Sequence, residues 1–139
     1  MIECITGRKG KGKTKHLLEK VRLRMERRKG SAVYLDKSTK HMYELDKYVR
    51  LIDVTEYGIR STEGFLGFIC GILSQDRDLE VMFLDSFLTI SFCNKEELPE
   101  VIKELEKISG QFSVDFVLSI SADKEELPEE IYETICTAL

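Results

Sequence analysis

Residues 7–14, GRKGKGKT, combine three glycines with four cationic side chains and end in Lys-Thr. Glycines let a backbone wrap closely and turn successive N–H groups inward, which builds a nest for an anion. A helix starting near Lys13 would aim about half a positive charge at the same point. Gly7, Gly12, Lys13 and Thr14 occupy the fixed positions of G-x-x-x-x-G-K-[ST]. In that pattern the lysine reaches terminal phosphates and the hydroxyl is offered to Mg²⁺. The implied chemistry is binding of a nucleotide's phosphate tail. A basic surface hairpin would share the composition, but the strand before the loop and the helix after it favour the nest.

Such a loop needs elements to position it. IECIT (2–6) reads as a strand, and residues 13–29 carry Leu17, Leu18, Val21 and Met25 at helical spacing, with Gly30 as the stop. AVYLD (32–36) is a second strand, a polar helical piece covers 38–47, and YVRLIDV (48–54) is a third strand. Ser61 or Thr62 caps a helix over 63–75 that is apolar nearly all round, which implies burial on several sides. Gly64, Gly67 and Gly71 lie near one face of it and read as close helix–sheet contact. EVMFLD (80–85) is a continuous apolar run, as expected of a strand covered on both faces. A helix over 99–109, a strand DFVLSIS (115–121) and a final helix complete the chain.

KEELPE occurs twice, at 95–100 and 124–129, behind Asn94 and Asp123, with Glu97 and Glu126 at capping-box spacing. Pro99 and Pro128 then suit the first position of the helices that follow. The expected architecture is α/β: a three-layer α/β/α domain over residues 1–139 around a mainly parallel five-stranded sheet. Right-handed crossovers would bring every strand's carboxyl end to one edge, where ligands of such sheets bind.

Composition narrows the class. At 139 residues, 42% hydrophobic and 33% charged, the chain can bury a core without disulfides or metals. No apolar run approaches 18 residues, and the glycine loop follows too soon for a signal peptide, so a cytoplasmic protein with no membrane contact is expected. Cys4, Cys70, Cys93 and Cys136 form no C-x-x-C pair and read as small buried thiols. The net charge of −4 divides into +9 over residues 1–50 and −13 over the remainder. A basic first third could attract phosphates, nucleic acid or an acidic partner, including the second half of a neighbouring copy. Lys20, Arg22, Arg24, Arg27, Arg28 and Lys29 interleave with the apolar stripe of the first helix. Without aromatic stacking partners, on an acidic protein, they read as a solvated face, which argues against nucleic acid.

With these motifs the chain resembles the P-loop nucleoside-triphosphatases over its whole length, through GRKGKGKT and through VMFLD, an apolar strand ending in Asp85. The resemblance implies ATP and Mg²⁺ as ligands. Gly7, Arg8, Lys9, Gly10, Lys11, Gly12, Lys13, Thr14 and Lys15 would surround the phosphates. Lys13 and Asp85 would be catalytic, and Thr14 and Asp85 would serve the metal, Asp85 through its water shell. The additional strand 115–121 resembles the RecA-like branch, in which a strand between the two motif strands carries a polar sensor; Ser121, near Ser119, is the candidate.

That branch often places a water-polarising glutamate after the aspartate, where this chain has Ser86. Asp36 and Glu56 are the alternative carboxylates, and Arg60 and Arg77 are loop arginines able to act across a subunit boundary. SFLTISF (86–92) reads either as a mobile substrate or partner loop at the ligand edge or as a strand continued into the core. The function implied is a weak Mg-dependent ATPase acting as an oligomer or with a partner protein. GKGKT and the ending SISADKEELPEEI are also similar to the ATP:corrinoid adenosyltransferases, which implies group transfer. Ser86 equally suits a non-catalytic nucleotide-binding module.

Overall fold

The computed structural model describes residues 1–27 and 29–139, so Arg28 lies outside the described residues. The strands are β1 (Ile2–Thr6), β2 (Ser31–Asp36), β3 (Val49–Asp53), β4 (Leu79–Leu84), β5 (Asp115–Ile120) and β6 (Ile135–Ala138). The helices are α1 (Lys13–Glu26), α2 (Thr62–Gln75), a single turn α3 (Phe87–Ile90) and α4 (Leu98–Phe112). All strands join one sheet in the order β3-β2-β4-β5-β1-β6, and every neighbouring pair is parallel. The ends of β1, β2, β4 and β5 therefore share one edge, with β5 between β1 and β4.

Two apolar layers hold the sheet. Leu17, Val21 and Met25, one turn apart on α1, pack with Ile5, Tyr34, Val81, Phe83 and Val117 on one face. The other face is covered by Phe65, Ile69 and Leu73 of α2, Phe87 of α3, and Leu98, Val101, Ile102 and Leu105 of α4. Helices thus lie on both sides of the sheet, as the continuous apolar strands predict. The first KEELPE copy forms a capping box, with Asn94 and Glu97 exchanging N–H···O bonds of 3.0 Å, and Pro99 sits in the first turn of α4. The second copy repeats the short turn, but Pro128 precedes a 3₁₀ segment (Glu129–Thr134) and no α-helix.

Several expectations need correction. The final helix is replaced by that 3₁₀ segment and by β6, so the sheet has six strands where five were expected. β-branched Ile135 and Thr137 suit a strand, and the edge beside β1 gives them a ladder. The helical piece over 38–47 shrinks to one 3₁₀ turn, Met42–Glu44, in a segment with no apolar stripe to pack. Gly64, Gly67 and Gly71 are exposed, and a Cβ at Gly67 or Gly71 would meet nothing within 4 Å, so they make no helix–sheet contact. Residues 86–92 neither extend β4 nor form an open loop: Phe87 is buried within α3 and Phe92 is exposed. Of the four thiols, Cys4 and Cys93 are buried but Cys70 and Cys136 are exposed.

α1 ends at Glu26, before Gly30, and Gly30 has a different duty. A Cβ there would lie 2.0 Å from the Asp78 carbonyl oxygen, where the chain enters β2 and Ser31 N–H bonds that same oxygen at 2.8 Å. Gly30→Ala must push the β2 and β4 entrances apart, and a loss of about 3 kcal/mol in chemical denaturation is expected. A loss under about 1 kcal/mol, the helix-propensity scale, would show that the contact relaxes freely.

Candidate functional site

The glycine loop leaves the end of β1 and delivers the chain to α1. Gly10 and Gly12 have φ of 88° and 90°, left-handed values that a side chain strongly disfavours, and Gly12 is the residue from which α1 starts. The first N–H groups of α1 have no partners within the helix and point toward the loop. Gly7 N–H donates to the Ala122 carbonyl at 2.9 Å, and Arg8 Nε pairs with Asp123 Oδ2 at 2.7 Å. The segment after β5 thereby anchors the first half of the loop and draws Arg8 outward.

Lys13 is only 7% exposed, and its Nζ donates to the Arg8 carbonyl at 3.1 Å. Among the described residues it forms no ion pair. Burial lowers its pKa, partly opposed by the charge of Asp85. A desolvated ammonium that forms no ion pair among the described residues can receive an anion.

Asp85 follows β4 at the same edge, 2% exposed, and its carboxylate collects four donors. Oδ2 accepts from Tyr34 Oη at 2.6 Å and Thr14 Oγ1 at 3.0 Å; Oδ1 accepts from Ser119 Oγ at 2.5 Å and Ser86 N–H at 2.9 Å. Strands β2 and β5 flank β4, so each can send one side chain across. Ser86 adopts φ 53°, a strained value for a non-glycine residue, while its N–H bonds both Asp85 and Ser119. Burial and the adjacent Asp85 raise the Tyr34 pKa, so its hydroxyl remains a donor.

These groups border a cleft of about 560 Å³. Its lining comes from the glycine loop (Lys9, Gly10, Gly12, Lys13 and Thr14), from the segments that end β4 and β5 (Asp85, Ser86, Ser119 and Ser121), and from the end of β2 onward (Asp36, Lys37, Ser38, Lys40 and His41). Asp36 is 4% exposed; burial and Asp85 raise its pKa, while the Lys37 N–H, 2.7 Å from Oδ1, opposes them. A larger hollow of about 930 Å³ adjoins the cleft through Thr14 and His41 and runs along α1 past Leu18, Val21 and Met25.

The structure sorts the residues singled out from sequence. Gly10, Gly12, Lys13, Thr14, Lys9, Asp36 and Asp85 border the cleft together. Gly7, Arg8 and Lys11 do not, and Lys15 borders the adjoining hollow. Glu56 is exposed on a 3₁₀ turn after β3, away from the cleft. Arg60 is also exposed outside it, and Arg77 precedes β4, at the other edge of the sheet. Ser121 borders the cleft, but Ser119 is the residue bonded to Asp85.

Sequence reasoning missed Tyr34 and His41. A tyrosine inside a buried apolar strand requires an acceptor for its hydroxyl, and that was the available signal for Tyr34. His41 had none, since it belongs to an irregular segment placed only by folding. No protein-family model matches the chain, and no curated protein matches it either.

Proposed function

We propose that the chain is a P-loop nucleotide-binding protein of the RecA-like branch that binds Mg-ATP and hydrolyses it slowly. One observation carries this reading: Thr14 and Asp85, 71 positions apart, meet at 3.0 Å beside the buried Lys13 at the head of the glycine loop. The position of β5 between the two motif strands supports the branch.

Mg²⁺ fits the residues present. Asp85 is a buried carboxylate with four neutral donors and, among the described residues, no ion-pair partner, and the Thr14 hydroxyl lies against it. No cluster of three His, Cys, Asp or Glu side chains suited to a metal occurs among the described residues. Mg²⁺ bound with a nucleotide needs none, because phosphate oxygens and water supply most of its six ligands. Thr14 would hold the ion directly and Asp85 through water; the ion would neutralise charge on the terminal phosphates. Lys13 would bind the same oxygens.

Among the described residues Asp36 is the one cleft carboxylate besides Asp85, and its burial bears on stability as well as activity. Its folded pKa is raised, so the folded chain binds this proton more tightly than the unfolded chain. The ionised group therefore costs stability at neutral pH, and stability rises as pH falls through the raised folded value. Asp36→Asn keeps the bond from Lys37 N–H and removes the charge. Its thermal midpoint without nucleotide is expected about 3 °C higher, while phosphate release falls about 10- to 100-fold. Unchanged turnover would remove Asp36 from the mechanism.

Among the described residues no arginine borders the cleft. An arginine acting on the terminal phosphate would come from a second copy or a partner, so turnover per chain is expected to rise with protein concentration. The reading is tested by Mg-dependent phosphate release from ATP across that concentration range.

A further inference from the structure

The chemistry of the proposed hydrolysis requires a group that takes the proton of the attacking water. Ser86, which follows Asp85, carries a hydroxyl and is no base for that role. Asp85 is unsuited to it, since four donors already occupy its carboxylate. Lys9, Lys13, Lys37 and Lys40 border the cleft as cations and have no acceptor to offer.

His41 is placed differently. It stands where the cleft meets the hollow along α1 and borders both. Its Nδ1 lies 2.5 Å from Glu44 Oε2 across one turn of the 3₁₀ segment. A carboxylate can only accept, so Nδ1 donates, and in the tautomer that this bond selects the lone pair sits on Nε2. Nε2 has no hydrogen-bond partner among the described residues. An imidazole oriented by a carboxylate at the border of the cleft, with its second nitrogen unbonded among the described residues, is the arrangement of a base and its orienting group.

We propose that His41, oriented by Glu44, is the catalytic base of this site; the proposal rests on the nucleotide reading given above. The water oxygen bonds to the terminal phosphorus as its proton passes to His41 Nε2. The bond from that phosphorus to the bridging oxygen breaks, and its electron pair leaves with the nucleoside diphosphate. The imidazolium then gives its proton to solvent, which reaches the ring because His41 keeps 20% of its side-chain surface exposed. Glu44 stabilises the imidazolium through the Nδ1 bond. Asp36 adds to it through space, since a positive His41 and a negative Asp36 favour each other.

The test uses the full chain, phosphate release from Mg-ATP, and calorimetric binding of a non-hydrolysable ATP analogue. His41→Ala is expected to lower kcat about 100- to 1,000-fold while the analogue's Kd stays within about threefold, which also certifies a folded site. Added imidazole should restore part of the lost rate in His41→Ala but none in Asp36→Asn. Glu44→Gln should lower kcat about 10-fold. Wild-type turnover in His41→Ala would overturn the proposal, and so would a loss that imidazole does not relieve. A wild-type chain that binds the analogue but releases no phosphate overturns this proposal alone. A wild-type chain that does not bind the analogue overturns the nucleotide reading instead.

Discussion

Lys13→Met is expected to abolish the response to nucleotide while leaving the fold intact: Mg-ATP affinity should fall at least about 100-fold, as for loss of a charge-assisted contact in a dry site. For the unaltered chain, saturation at about 100 times Kd adds about 2.7 kcal/mol of stability, a rise of roughly 10 °C for a domain of this size. That rise disappears in the variant. Without nucleotide the variant should be no less stable than the parent. The folded pKa of Lys13 is lowered by burial, so the unfolded chain binds the proton more tightly and the buried charge costs stability below that folded value. Methionine, of similar length, removes that cost. Scanning calorimetry with and without Mg-ATP separates the two effects, and an undiminished nucleotide-induced rise in the variant would show that Lys13 does not face the phosphates.

Asp85→Asn is expected to uncouple the nucleotide from its metal. Asparagine offers one acceptor oxygen in place of two, while Tyr34, Ser119, Thr14 and the Ser86 N–H all continue to donate. One amide face would then oppose two hydroxyl donors, and the negative charge proposed to hold the metal's water shell would be gone. Turnover should fall about 100-fold, the upper range for outer ligands of a bound ion. Mg²⁺ should cease to improve ATP affinity, whereas it is expected to strengthen binding to the unaltered chain. Titrations with Mg²⁺ and with EDTA give that ratio directly; an Asp85→Asn chain that still prefers Mg-ATP would move the metal elsewhere.

The parts of this site visible in the sequence are those whose chemistry is local. A glycine-lysine loop writes its own φ values and charge, so Gly10, Gly12, Lys13 and Thr14 were identifiable without a fold. Asp85 was visible because an apolar run ending in an acid marks a strand edge. What the sequence could not supply was which strands lie side by side. Tyr34 reaches Asp85 only because β2 flanks β4, and Ser119 reaches it only because β5 flanks the other side. His41 depends on a connection with no periodicity, whose course is set by where β2 ends and β3 begins. β6 escapes the sequence pattern for a related reason: an edge strand four residues long takes its conformation from the β1 backbone beside it. Gly30 shows the same limit, since its neighbour Asp78 lies 48 positions away.

The central claim, that this cleft holds a magnesium-bound nucleoside triphosphate, is tested most directly by calorimetric titration of the unaltered chain with a non-hydrolysable ATP analogue, with Mg²⁺ and with EDTA. The account predicts one site per chain with a Kd of order micromolar in Mg²⁺, about −8 kcal/mol, and clearly weaker binding in EDTA. Absence of saturable binding up to millimolar analogue, or affinity indifferent to Mg²⁺, would contradict it.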